Sequence, residues 1–374
     1  MSERGVPISK VMSFGSDGAS AMMGKEKGVA AILRRENPHM HNVHCVAHRL
    51  ALCTSQVAEK IESLRKHQQV LTDLFYYFKG SSQRDARLHA IQEILDDPCI
   101  VYKELHSVRW LSYFNALTAV WRTLDSLLTY LAEASHKDHK AGRMKKKIAT
   151  ESFIATTYMM IDAMAPVTIL SQSFQKENVD VALVKVKTGE CIANLQKVYT
   201  FDTPYMQKLK EDLKGNTFKE HHQITRNNFS QEKIAKNFID SLVDNIRCRF
   251  PADDLLTSFG ILAMRPISMM LKTEVDRYGD EEIDRLCTYY GETKTVQWEI
   301  SRTIERKTSD PVGDFVKAKS EWAFLKKVVL AEKYHQGVMS KLWHLIDYHH
   351  LRGFSQLAQV SSTCTNFSST YCWM

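Results

Sequence analysis

Apolar and polar positions follow two rhythms along this chain. Near the start, Ile8–Gly15 (ISKVMSFG) reads as a short strand and Ser16-Asp17-Gly18 as the turn after it, since Asp and Gly tolerate turn geometry. From Met22 to Glu36 the spacing is helical, with Met22, Val29, Ile32 and Leu33 expected to face inward and Lys25, Lys27, Arg34 and Arg35 outward. Asn37-Pro38 stops that helix, Met40–Val46 reads as a second strand, and a helix resumes near Ala47 and Leu50. Strand, turn, helix, strand, helix is the second half of an α/β unit. Two short strands make a marginal sheet by themselves. The later sequence offers no good strand set, so the reading expects the opening strands to lie ahead of this segment.

From about Ala58 to Trp343 the pattern is overwhelmingly helical. Ile61, Leu64, Val70, Leu71, Leu74, Phe75 and Phe78 recur at mixed spacings of three and four, and Lys79-Gly80-Ser81-Ser82 breaks the run. Ala86–Leu95 continues to a stop at Asp97-Pro98. Leu111 to Leu131 and Phe153 to Phe174 form two further stripes, and Asn178–Thr200 another helix before a turn at Asp202-Thr203-Pro204. Asp253–Leu286 reads as helix, turn, helix broken near Pro266, and Asp314–Leu345 closes the block. No repeat period appears, which argues against a solenoid. The expected fold class is α/β plus all-α, mostly α overall, in three consecutive parts: an α/β segment at 1–58, a helical domain at 59–345 and a C-terminal segment at 346–374. The polar, Ser/Thr-rich tail from Ser361 to Met374 is expected to be disordered.

Charge and cysteine content change this picture only slightly. Fifty Lys and Arg against 43 Asp and Glu give a formal charge of +7, a mild lean towards anionic partners. The one dense basic stretch runs from Lys137 to Lys147 (KDHKAGRMKKK), which reads as a solvated loop or helix end, or as a phosphate-contacting or nuclear-import patch. The eight cysteines are scattered without a CxxC pair, as expected of reduced thiols. No continuous run of about 18 apolar residues is seen, so no membrane partner is expected.

Three motifs carry candidate chemistry. Asp17, after a strand and before Gly18, is a turn residue on the plain reading, but the end of a strand is also where α/β sheets hold catalytic carboxylates. A lone acid cannot hold the Mg²⁺ pair of in-line phosphoryl transfer. Cys45-Val46-Ala47-His48 spaces a thiol and an imidazole three apart, either as a buried thiol with a locally bonded histidine or as half of a four-ligand zinc site, for which no second pair follows. Ser107-Val108-Arg109-Trp110-Leu111-Ser112 is a helix start with a core tryptophan, or an Arg–Trp pair in which Arg holds phosphate and Trp stacks on an extruded base. No P-loop, HExxH or GxSxG motif occurs. His221-His222 and His349-His350 are adjacent in sequence, and neighbours on a helix do not face one site, so no metal site is expected from either pair.

Taken in order, Ser16-Asp17-Gly18-Ala19-Ser20-Ala21-Met22-Met23-Gly24, Val43-His44-Cys45-Val46-Ala47-His48-Arg49-Leu50-Ala51-Leu52 and Arg109-Trp110 resemble hAT-type DNA transposases, in particular the vertebrate zinc-finger-associated, transposase-derived proteins. The resemblance is specific over residues 11–52, fair around Arg109-Trp110 and weak across the helical remainder. It implies an RNase H-like core interrupted by a large helical insertion. Asp17 then matches the second acid of a DDE triad, Cys45 and His48 the CxxH motif beside it, and Arg109 and Trp110 the nucleic-acid-binding pair of the insertion. Glu3 lies too close to Asp17 to be the first acid, and Leu351–Val360 resembles the approach to the third, after which no Glu follows. Glu151, Asp162 and Glu177 are poor substitutes, being outside the family context. The expectation is a domesticated or truncated, catalytically inactive nuclear protein. It needs no cofactor, Mg²⁺ belonging only to retained ancestral activity. Its partners would be DNA, bound weakly and salt-dependently, and a protein partner or a second copy. The other reading is a helical scaffold without DNA binding.

Overall fold

A computed structural model describes residues 8, 11, 13–104, 110–175, 183–227, 229–251, 253–264, 270–300, 302–332 and 357. In chain order the elements are β1 (Ser13–Ser16), α1 (Ser20–Met23), α2 (Val29–Glu36), β2 (His41–His44), α3 (Val46–Lys60), α4 (Glu62–Lys79), α5 (Ser82–Ile94), α6 (Trp110–Arg122), α7 (Leu124–Ala134), α8 (His139–Ile148), α9 (Glu151–Phe174), α10 (Val184–Lys197) and α11 (Pro204–Asp212). A small sheet follows, made of β3 (Leu213–Lys214), β4 (Thr217–Phe218) and β5 (His222–Gln223). Then come α12 (Gln231–Arg249), α13 (Asp254–Ser258), α14 (Lys272–Val275), α15 (Asp280–Gly291), β6 (Lys294–Ile300), β7 (Thr303–Ser309) and α16 (Phe315–Glu332). The mostly helical class expected from the sequence is what the structure has.

The chain forms two compact units. The first takes residues 1–49, 173–187 and 251–374, and the second takes 50–172 and 188–250. The expected parts, 1–58, 59–345 and 346–374, run consecutively, whereas the units interleave: the chain leaves the first within α3, re-enters it at 173–187, and returns to it again after α12.

In the first unit β1 and β2 pair in parallel, Ser13 opposite His41 and Ser16 opposite His44, with α1 and α2 in the crossover between them. Parallel strands need such a crossover, and the motif is a βαβ unit. The single helix expected over Met22–Glu36 is two, because Gly24 to Gly28 turns between them. That interruption resets the helical phase. Ala30 is buried, while Val29 and Ile32, expected inward, are exposed. The expectation of no later strands is also corrected. β6 and β7 form an antiparallel hairpin of seven rungs, Lys294 opposite Ser309 through Ile300 opposite Thr303. β6 is β-branched at Thr295, Val296 and Ile300, but β7 is exposed along almost its whole length. β6 alternates, with Val296 and Trp298 half-buried and Thr295, Gln297 and Glu299 exposed, but β7 shows no such alternation to mark it as a partner.

Four contacts bind residues 35–41 to the segment that returns some 200 or more positions later. Arg35 lies over the Trp298 ring at 5.5 Å, Lys307 pairs with Glu36 at 2.8 Å, the buried His39 Nε2 meets the Asp310 carbonyl at 2.9 Å, and His41 pairs with Asp253 at 3.4 Å. The core behind them is built on Trp322, whose Nε1 donates to the Tyr278 carbonyl at 3.1 Å. Beside it the buried Lys326 ammonium donates to the Asp276 carbonyl and to Asp280 Oδ1. Gly279 makes the turn between these acceptors at φ +74°, and a Cβ there would stand 2.7 Å from the Trp322 ring.

The second unit is a helical assembly with the three-stranded β3–β4–β5 sheet at its edge. The stripe expected over Leu111–Leu131 is split at Thr123 into α6 and α7, and Asp97 Oδ2 accepts from the Ser126 amide at the start of α7. α9 is long and apolar enough to cross a membrane by length and composition, although Thr156, Thr157, Asp162 and Thr168 interrupt it, so that it holds no continuous apolar run. Its Met159, Met160, Ile161, Ala163 and Met164 are fully buried, and 83% of its most apolar window lies inside the protein. Against it sits a fully buried histidine, His67 of α4, stacked on Phe153 at 4.6 Å. The Thr157 hydroxyl donates to the Phe153 carbonyl, so it accepts from His67 Nε2, while the Tyr113 hydroxyl meets His67 Nδ1. Both ring nitrogens are satisfied in the neutral form, and burial pushes the pKa down to about 3.

Two outcomes follow. Gly279→Ala should lose about 1–3 kcal/mol in chemical denaturation, from the left-handed backbone and the Trp322 clash together. An unchanged denaturation midpoint would refute this. The unfolded chain takes up a proton on His67 below about pH 6.5 that the folded protein refuses. The stabilisation is therefore complete above that pH and is lost progressively towards pH 3, with a slope of up to about 1.4 kcal/mol per pH unit. Melts of His67→Phe between pH 7 and 4 should decline less steeply than wild type.

Candidate functional site

The strand-end site is built by the β1–β2 register. Because the strands are parallel, both carboxyl ends open on one edge, and the Cys45 amide extends the ladder by donating to the Ser16 carbonyl at 2.7 Å. Asp17 is the first residue past β1. Its Oδ1 accepts from the Ala19 amide at 3.0 Å, an Asx turn that fixes the carboxylate at the edge of the pair. Gly18 follows at φ +80°, and a Cβ there would stand 2.4 Å from the His44 ring. Only glycine therefore lets Asp17 turn beside His44. Cys45 sits just before α3 with its carbonyl accepting from Arg49, and His48 lies on the first turn, its ring 5.6 Å from that of His44.

The structure thus brings Asp17, His44, Cys45 and His48 to one end of the strand pair. Asp253, paired with His41, belongs to the opposite end, three rungs away and about 10 Å off at ~3.3 Å per residue. Among the described residues, neither Asp17 nor the Cys45–His48 pair belongs to a group of three His, Cys, Asp or Glu close enough to share a metal ion. Ser13 Oγ, Ser16 Oγ and Asn42 Oδ1, all on the two strands, are buried without hydrogen-bond partners.

Of the Arg–Trp pair, Arg109 lies outside the described residues, and Trp110 is the first residue of α6. Of the substitute acids, Glu177 lies outside them, as do Glu3, Leu351–Val360 apart from Leu357, His349-His350 and the Ser361–Met374 tail. Glu151 lies 3.9 Å from Arg226. Asp162 accepts from the Thr203 hydroxyl and from the Met206 amide at 3.1 Å, anchoring the start of α11. Burial pushes its carboxyl up in spite of these donors. Both acids have structural work in the second unit.

The Lys137–Lys147 run becomes α8, capped by Asp138, whose Oδ1 accepts from the Lys140 amide at 2.7 Å. Its last turn holds Lys145, Lys146 and Lys147, where cations favour the negative end of a helix. Beside it lies a cleft of about 630 Å³ lined by Tyr76, Tyr77, Arg84, Lys140, Arg143 and Lys147. Arg84 stacks on the Tyr77 ring at 4.3 Å and pairs with Asp138, and Lys147 pairs with Asp73 at 3.0 Å. Lys140 and Arg143 are exposed, as is Tyr76, whose hydroxyl donates to Glu104 at 2.6 Å. An exposed aromatic ring framed by cations is the surface on which a single strand can stack and be neutralised. The tyrosines come from α4 and Arg84 from α5, so the sequence run shows the cations but not the rings.

His221 and His222, set aside from the sequence as helical neighbours, are not helical. His221 lies in a turn and His222 opens β5, and both rings reach Asp125.

No protein-family model matches the chain, and no solved structure matches it.

Because the Ser16 hydroxyl is buried without a partner, Ser16→Ala should leave stability unchanged or raise it by up to about 1 kcal/mol. A clear loss in urea denaturation would show that the hydroxyl is engaged at this edge.

Proposed function

We propose that this chain is a hAT-transposase-derived nuclear protein that binds nucleic acid through its helical unit and does not cut it. The observation that carries the reading is topological. An acid, Asp17, stands at the carboxyl edge of a parallel βαβ pair, and the chain passes from that unit into a helical one, residues 50–172 and 188–250, re-entering the first at 173–187 and again from 251. Such an order suits an RNase H-like core split by a helical insertion, the arrangement that the sequence resemblance implies, with Asp17, Cys45 and His48 in the core. The absence of cleavage is read from the carboxylates: two-metal chemistry needs several acids around the ions, and Asp17 has no such company among the described residues. Binding is assigned to the α8 cleft, with Lys140, Arg143 and Lys147 on phosphates and Tyr76 as a stacking surface.

Gel shifts of single-stranded and duplex DNA at two salt concentrations, with Mg²⁺ present, test this. With about three phosphates neutralised, log K should fall with log salt at a slope near −2 to −3. Arg143→Glu should weaken binding at least tenfold, Tyr76→Ala should weaken single-strand binding selectively, and Trp110→Ala should weaken both. Nicking of the duplex would refute the inactive reading. Absence of binding at low salt would refute the nucleic-acid reading and leave a helical scaffold.

A further inference from the structure

We propose that Asp125, His221 and His222 form a binding site for one divalent transition-metal ion of the zinc class, separate from the strand-end site and independent of any role in nucleic-acid binding. Asp125 is on the first turn of α7 with its side chain 14% exposed. His222 Nε2 lies 2.7 Å, and His221 Nε2 2.9 Å, from the same oxygen, Asp125 Oδ1. The three donor atoms lie within 4.8 Å of one another, and among the described residues no other group of His, Cys, Asp or Glu is so arranged.

Two successive side chains converge because the backbone before them is twisted. Lys219 and Glu220 both take left-handed conformations, φ 47° and 68°, which non-glycine residues rarely adopt. The result is two rings tilted 46° with centroids 4.2 Å apart. Strain held at a cluster of ligating atoms points to a use for the cluster.

The proton inventory points the same way. His221 Nδ1 is hydrogen-bonded to the Lys219 carbonyl, which can only accept, so Nδ1 carries a proton. A neutral His221 then turns the lone pair of Nε2 towards a carboxylate oxygen, an arrangement that requires a cation between them. That cation is a second proton, making an imidazolium, or a metal ion. The carboxylate already has one cation, since Lys219 Nζ sits 3.3 Å from Oδ2. One metal ion accepts both histidines in the neutral form and leaves Oδ2 to Lys219. The Lys219 carbonyl then has the orienting role that backbone carbonyls take for metal-bound histidine. Imidazole and carboxylate donors suit Zn²⁺, Co²⁺ and Ni²⁺. Metal–ligand bonds of ~2.0–2.2 Å require the histidines to draw back from Oδ1 by about half an ångström. His221, 55% exposed, has room to do so and leaves a fourth position to solvent.

The test uses the full chain stripped with chelator and titrated with Zn²⁺ at pH 7.5 by calorimetry, with Co²⁺ as the spectroscopic stand-in. One ion should bind. His222→Ala and Asp125→Asn should each weaken it at least tenfold, and the Co²⁺ spectrum should lack thiolate charge-transfer bands, since the chain also has cysteines. Lys219→Gln removes a neighbouring positive charge but no ligand, and should tighten binding several-fold. The proposal is overturned if wild type binds no stoichiometric ion, if the histidine and aspartate variants bind as wild type does, if thiolate bands appear, or if Lys219→Gln fails to tighten binding. The wild-type titration and the Lys219 variant decide the matter even where a ligand variant does not fold.

Discussion

Two parallel strands of four residues cannot hold themselves, and the first unit is organised around that weakness. A pair so short gains little from its own ladder. It depends on chain that returns from far along the sequence. Glu36, His39 and His41 each take a partner from residues 253–310, and Arg35 takes Trp298. The contacts are varied: a cation on an indole, an exposed ion pair, a buried imidazole on a carbonyl and a half-buried ion pair. The buried one has the most at stake, because burial lowers the pKa of His39 and holds the ring neutral. The strand-end edge inherits its position from this support. Asp17 is placed by the β1–β2 register, and that register persists only while the returning segment braces it.

The sequence made some of this legible and hid the rest for identifiable reasons. The strand–turn–helix–strand order was readable because Asp17-Gly18 and Asn37-Pro38 punctuate it. The inner face of α4 was readable because Leu64, Leu71, Leu74 and Phe78 keep helical spacing. The split between α1 and α2 was not, because Val29 and Ile32 look like core residues until a turn rotates them outward. The β6–β7 hairpin was legible only in part, because Val296, Trp298 and Ile300 alternate with polar residues in β6 while β7, exposed along both faces, has no alternation to display. Of the candidate site residues, Asp17, Cys45 and His48 are local and could be found by motif. The α8 cleft could be found only in part, since its cations are contiguous but its tyrosines come from another helix. The Asp125 cluster was out of reach, joining residues nearly a hundred positions apart through a backbone twist that no residue type announces.

The second unit treats its ionisable groups differently according to burial. His67 is neutral and saturated by hydroxyls, so it belongs to the core. Asp162 is spent on the first turn of α11. At Asp125 burial works against ionisation, yet the two histidines and Lys219 outweigh it and hold the carboxyl well below its usual range. Nearly all the remaining cations of this unit's basic helix stay at the surface, where only salt and a polyanion compete for them.

The interleaving of the two units has a consequence for synthesis. Every residue of the second unit, 50–172 and 188–250, has been made before the chain reaches Asp253, the first of the braces for β1 and β2. On the ribosome the helical unit can therefore close early on largely local contacts, while the first fifty residues wait with an unprotected strand edge until residue 310 has emerged. That interval, some two hundred and fifty residues long, is when those strands are open to pairing with another chain. A fragment that ends inside it would express a sound helical unit joined to an orphaned, aggregation-prone βαβ segment.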